Sequence, residues 1–116
     1  MSGKRRDKDF LGDILDAMER VIAYTANLSY DQFLADTKTQ DAVLRNIEII
    51  GEAAKKLSTT LKKAHRDIPW RDMAGMRDKV IHDYFGLNYD IVWNIGQTEI
   101  PQLLPKISAI LKQLED

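Results

Sequence analysis

VLRNIEIIGEAAKKLSTTL, residues 43–61, decides the fold. Val43, Ile47, Ile50, Ala54, Leu57 and Leu61 recur at alternating spacings of three and four, the period of one face of an α-helix. Leu44, Ile49 and Ala53 widen that face beyond what a single packing partner needs. The helix, predicted from about Thr39 to Ala64, is therefore central or lies at a subunit interface. Gly51 in its middle costs roughly 1 kcal/mol relative to alanine. That cost is tolerable where another backbone approaches closely.

The same period appears on either side of this stretch. Phe10, Leu11, Ile14, Leu15, Met18, Val21 and Ile22 predict a first amphipathic helix, which Asn27 and Ser29 end or interrupt. Ser29 is placed to cap a short segment containing Phe33 and Leu34. Pro69 breaks the pattern after the central helix. A third element begins at Trp70, runs through Met73, Met76, Val80 and Ile81, and is punctuated by Gly86, Leu87 and Asn88. Ile91, Val92 and Ile95 mark a fourth segment from Tyr89 to about Thr98. Leu103, Leu104, Ile107, Ile110, Leu111 and Leu114 form the last helix, with Pro101 and Pro105 expected near its first turn. No alternating strand pattern occurs. The reading is an all-α, up-and-down bundle of about four to five helices, one domain over residues 1–116.

Composition narrows the function classes. With 44% hydrophobic and 30% charged residues the chain folds around a core and is not disordered. It has no cysteine, which excludes a disulfide framework and a thiolate metal site. No apolar run follows the basic residues of MSGKRRDKDF as a signal peptide would require, and none approaches the roughly 20 residues that span a bilayer. The expected compartment is the cytoplasm, with no membrane partner. A net charge of −1 does not advertise nucleic-acid binding. Yet Lys55, Lys56, Lys62, Lys63 and Arg66 follow one another between Ala53 and Arg66 without an acidic residue. They read either as a solvated helix end favoured by the helix dipole or as an electrostatic footprint for RNA.

Two histidines bound the acid–base options. His65 sits beside Arg66 in the basic cluster and reads as solvated or capping. His82 belongs to Arg77-Asp78-Lys79-Val80-Ile81-His82-Asp83-Tyr84. On a helix, Asp78 and His82 stack one turn apart, so the carboxylate can orient the imidazole and fix its tautomer. Arg77, five residues before His82, points about 140° away on the same helix. Two copies facing across a dimer axis could bring the groups together. Glu48 and Glu52 read as surface ion-pair partners of Lys55 and Lys56. Trp70, Trp93 and Tyr89 read as core or interface residues. No glycine-rich phosphate loop, tandem-aspartate motif or cluster of metal ligands is evident.

The segment Arg77–Tyr84 resembles the R-x4-6-H signature of HEPN ribonucleases, in the R-x4-H-x-Y form of HepT-like toxins, with Asp78 as the polar residue after the arginine. Residues 46–53 (NIEIIGEA) resemble the family's second-helix sequence, and residues 69–76 (PWRDMAGM) its approach to the motif. The resemblance implies a homodimeric, metal-independent endoribonuclease without a cofactor, acting on RNA such as tRNA. It implies that His82 takes the 2′-hydroxyl proton and Arg77 holds the phosphate, at a site composed of two subunits. It further implies a toxin of the HepT–MntA type, silenced when a nucleotidyltransferase antitoxin attaches AMP to Tyr84. A second possibility is a non-catalytic helical partner that presents substrate to a nucleotidyltransferase.

Overall fold

Leu11, Ile14, Met18 and Val21 are fully buried along helix α1 (Asp7–Thr25), as their spacing requires. The computed structural model describes residues 6–82 and 86–115, with side chains over 6–81 and 88–115. Helix α1 ends where Asn27 takes a left-handed conformation, φ 65°, a backbone state that asparagine tolerates better than most residues. Ser29 then starts α2 (Tyr30–Leu34) by a reciprocal capping box. Its hydroxyl accepts from the Gln32 amide at 3.1 Å, and its own amide donates to Gln32 Oε1 at 2.8 Å.

The central helix, α3 (Thr37–Lys56), packs against α1 on one side and against the motif-bearing helices on another. Asp36 caps it, accepting from the Thr39 amide at 3.0 Å and the Thr39 hydroxyl at 2.6 Å. The expected run to Ala64 is corrected, because the chain breaks at Leu57–Ser58 and restarts as α4 (Thr59–Ala64). Ser58 is the cause. Its hydroxyl accepts from the Leu61 amide at 3.1 Å to cap α4. Its amide and hydroxyl both donate to the Asp7 carboxylate, at 2.8 and 2.5 Å. Leu57 and Leu61 stay buried on either side of the break, so the apolar period continues where the helix does not. His65 forms the C-cap of α4, and its carbonyl accepts from the Trp70 indole at 2.9 Å.

The third element is also divided. Helices α5 (Trp70–Ala74) and α6 (Met76–Val80) meet at Gly75. A two-residue antiparallel pairing of β1 (Ile81–His82) with β2 (Gly86–Leu87) follows. The Asn88 amide donates to the Val80 carbonyl at 2.7 Å, and Asn88 caps α7 (Tyr89–Asn94). A π-helical turn (Ile95–Glu99) joins α7 directly to α8 (Ile100–Glu115). Pro101 has no N–H to give and would crowd the carbonyl four residues back. The backbone widens just before it, with the Ile100 amide bonded to the Ile95 carbonyl. Pro105 sits inside α8, deeper than expected.

Phe33 is fully buried, and its ring meets Tyr89 edge-on and Trp93 at a tilt. The Tyr30 hydroxyl donates to Asp90, fastening α2 to α7 and raising the phenol's pKa. Tyr89 and Trp93 are thus packing groups against the core, and Trp70 belongs to it. The architecture is all-α. No helix among the described residues is long and apolar enough to cross a membrane.

Candidate active site

Gly51 sets the distance between the two walls of the site. A Cβ there would lie 3.2 Å from the Ala74 carbonyl oxygen and 3.6 Å from that of Met73. The end of α5 therefore rests on the backbone of α3, the close approach that the glycine's cost had suggested. One turn earlier on α3, Glu48 faces the start of α6. Arg77 Nε donates to Glu48 Oε2 at 3.0 Å, joining the two helices.

Both residues line an open groove of about 420 Å³ between α1, α3 and the α5–α6 pair. Phe10, Ile49, Ala53 and Ala74 give it apolar surface. Its charged walls are balanced: Asp13, Glu48, Glu52 and Asp78 stand against Arg45, Lys55, Lys56 and Arg77. Of the predicted residues, the groove gathers Arg77, Asp78, Lys55 and Lys56. Lys55 lies 3.6 Å from Glu52, and the Lys56 ammonium stands 6.0 Å from the centre of the Phe10 ring. Lys62 and Lys63 belong to α4 and Arg66 to the turn after it, and none of the three lines the groove. The basic stretch is thus split between two places by the break at Ser58.

The helical geometry assumed for the motif does not hold. Helix α6 stops at Val80, Ile81 is extended, and His82 belongs to β1. Asp78 and His82 are not one helical turn apart, and the 140° relation between Arg77 and His82 lapses with it. Nor does Gly86 end a helix, since it pairs with His82 across the strands. The His82 side chain and all of Tyr84 lie outside the described residues. Among the described residues no three histidine, aspartate or glutamate side chains gather as a metal site.

Glu48 was misassigned by sequence reasoning. Its helical neighbours pointed to a lysine, and Glu52 does pair with Lys55, but Glu48 reaches across to Arg77. Only the packing of α6 on α3 reveals this, because the partners are 29 residues apart. Arg45, on the same wall, was also missed.

Residues 14–110 match the family model described as "Ribonuclease HepT-like". The "Probable ribonuclease HepT" of Thermococcus cleftensis is 45% identical over 109 residues, covering 94% of this chain and 99% of that protein. "Putative RNase MJ0127" of Methanocaldococcus jannaschii is 43% identical over 112 residues, covering 97% of this chain and 93% of that protein. No solved structure matches the chain.

Proposed function

Because the chain belongs to the HepT-like ribonuclease family, we propose that it is a metal-independent endoribonuclease, the toxin of a toxin–antitoxin pair acting in the cytoplasm. The observation that carries this reading is the placement of Arg77, with Asp78, on an open groove shared with Lys55 and Lys56. The chemistry is transesterification within RNA, such as tRNA. His82 accepts the proton of a ribose 2′-hydroxyl, and that oxygen attacks the adjacent phosphorus. The bond to the 5′-oxygen breaks, leaving a 2′,3′-cyclic phosphate and, once protonated, a 5′-hydroxyl. An imidazole with a pKa near 6.5 suits that transfer at neutral pH and is worth roughly 10²–10⁴ in rate. The Arg77 guanidinium offers a planar fork to the phosphate oxygens. The site is composite, completed by a second copy of the chain in a homodimer.

Control comes through Tyr84. Its hydroxyl oxygen attacks the α-phosphorus of ATP on a cognate nucleotidyltransferase antitoxin, pyrophosphate leaves, and the tyrosine carries AMP. The added phosphate repels RNA and competes with it for Arg77. The experiment is co-expression of the antitoxin with the unsubstituted chain and with Tyr84→Phe. Growth and RNA integrity should be protected only where the hydroxyl is present, together with a mass increase of whole AMP units. Equal protection of both forms would reduce the antitoxin to an occluding partner. The balanced charge of the groove favours one other reading, a non-catalytic helical partner of a nucleotidyltransferase. RNA left intact by purified chain would select it.

A further inference from the structure

A guanidinium serves phosphate best when its plane is held, and the element that carries Arg77 gives it little support. It stands on α6, a helix of five residues that turns into extended chain straight after Val80. Its side chain is 52% exposed. Glu48 is the opposite case, 34% exposed and rooted in the 20-residue helix α3, which is packed on more than one side. The contact between them uses the Nε edge of the guanidinium. A carboxylate docked on that edge fixes the plane and leaves the geometry of the outer edge compatible with a phosphate.

We propose that Glu48 is a positioning residue, anchoring Arg77 by Nε so that the outer edge of its guanidinium is presented to the RNA phosphate in the groove. The inference rests on the ribonuclease reading above and adds a residue to it. A carboxylate in an RNA groove repels the substrate, so binding alone gives no reason for one there. Its removal should slow the chemistry without weakening binding, which separates positioning from charge balance.

The test compares Glu48→Ala, Glu48→Gln and Arg77→Ala with the parent chain, using a fluorescent RNA oligonucleotide under single-turnover conditions. Glu48→Ala should lower the cleavage rate on the order of 10- to 100-fold, as misplacement of a reacting group does. The half-saturating protein concentration should stay the same or fall, since one repelling charge is gone. Glu48→Gln keeps an oxygen that accepts from Nε and should restore most of the rate. The Arg77 Nε–H signal in NMR spectra supplies a readout independent of turnover: sharp and protected in the parent and Glu48→Gln, weakened by exchange in Glu48→Ala. An exposed ion pair contributes little to folding, so all variants should remain helical. Unchanged or faster cleavage by Glu48→Ala, or an Arg77 signal indifferent to it, overturns the proposal. A parent chain that cleaves no better than Arg77→Ala overturns the ribonuclease reading itself, and this inference with it.

Discussion

Replacing Gly51 by alanine sets two effects of similar size against each other, and the structure decides the sign. In a helix interior the substitution gains up to about 1 kcal/mol from backbone propensity. At this position the new methyl group would sit 3.2 Å from the Ala74 carbonyl oxygen. That oxygen is backbone at the end of α5, and it can yield only if the α5–α6 pair moves away from α3. Overpacking of this kind costs about 1–3 kcal/mol. The net expectation is a loss of up to about 2 kcal/mol, or a melting temperature lower by several degrees for a chain this size. Gly12 is the control. It lies inside α1, and a Cβ there meets nothing within 4 Å. Gly12→Ala should therefore keep its full propensity gain and melt several degrees higher than the parent. Thermal unfolding followed by circular dichroism measures both. Cleavage should fall in Gly51→Ala alone, because displacing α6 lengthens the 3.0 Å contact between Arg77 and Glu48. If Gly51→Ala raises the melting temperature as much as Gly12→Ala, the close approach does not govern the site.

Other expectations follow from the helix ends and the assembly. Asp36 is held below the ordinary carboxylate range, chiefly by the Thr39 hydroxyl and then by its amide. A group depressed on folding stabilises above its unfolded pKa, about 4, and loses that contribution as pH falls through the lower folded value. Asp36→Ala should thus melt below the parent at pH 7, with the difference closing in acid; a constant difference would exclude the charged cap as its source. Asp7→Ala removes both acceptors of Ser58 and should cost about 1–2 kcal/mol in denaturant titration. No change there would mean that the break after Lys56 does not depend on Asp7. The proposed composite site needs a second copy of the chain, so dilution to a monomeric state, followed by light scattering, should abolish cleavage; a fully active monomer would exclude it.

The periodic residues carried the fold because burial of an apolar face is a property of spacing. Leu11, Ile14, Met18 and Val21, and Val43, Ile47, Ile50 and Ala54, are buried as their pattern demands. Ser29 was legible as a cap because its capping box closes within three residues. What escaped were features that depend on distant partners. The apolar spacing runs unbroken through Leu57 and Leu61, while the helix stops after Lys56, where Ser58 caps α4 and is held by Asp7, 51 residues away. Glu48 was hidden from its partner in the same way. The helix end at Val80 escaped for a different, local reason: the extended chain after it pairs with Gly86–Leu87, close by in sequence. Arg77 and Asp78 could be picked out because their motif is contiguous in sequence. How the groove balances their charge could not.

Metal-independent cleavage is tested most directly by RNA digestion in the presence of EDTA. Purified parent chain, His82→Ala and Arg77→Ala are incubated with RNA, and the new ends are identified by mass. The parent should cut and leave 2′,3′-cyclic phosphate and 5′-hydroxyl ends. Each variant should be slower by roughly 10²-fold or more while remaining folded. Cleavage that stops with EDTA and returns with a divalent cation, or that survives loss of His82, would rule out metal-independent transesterification by this pair of residues.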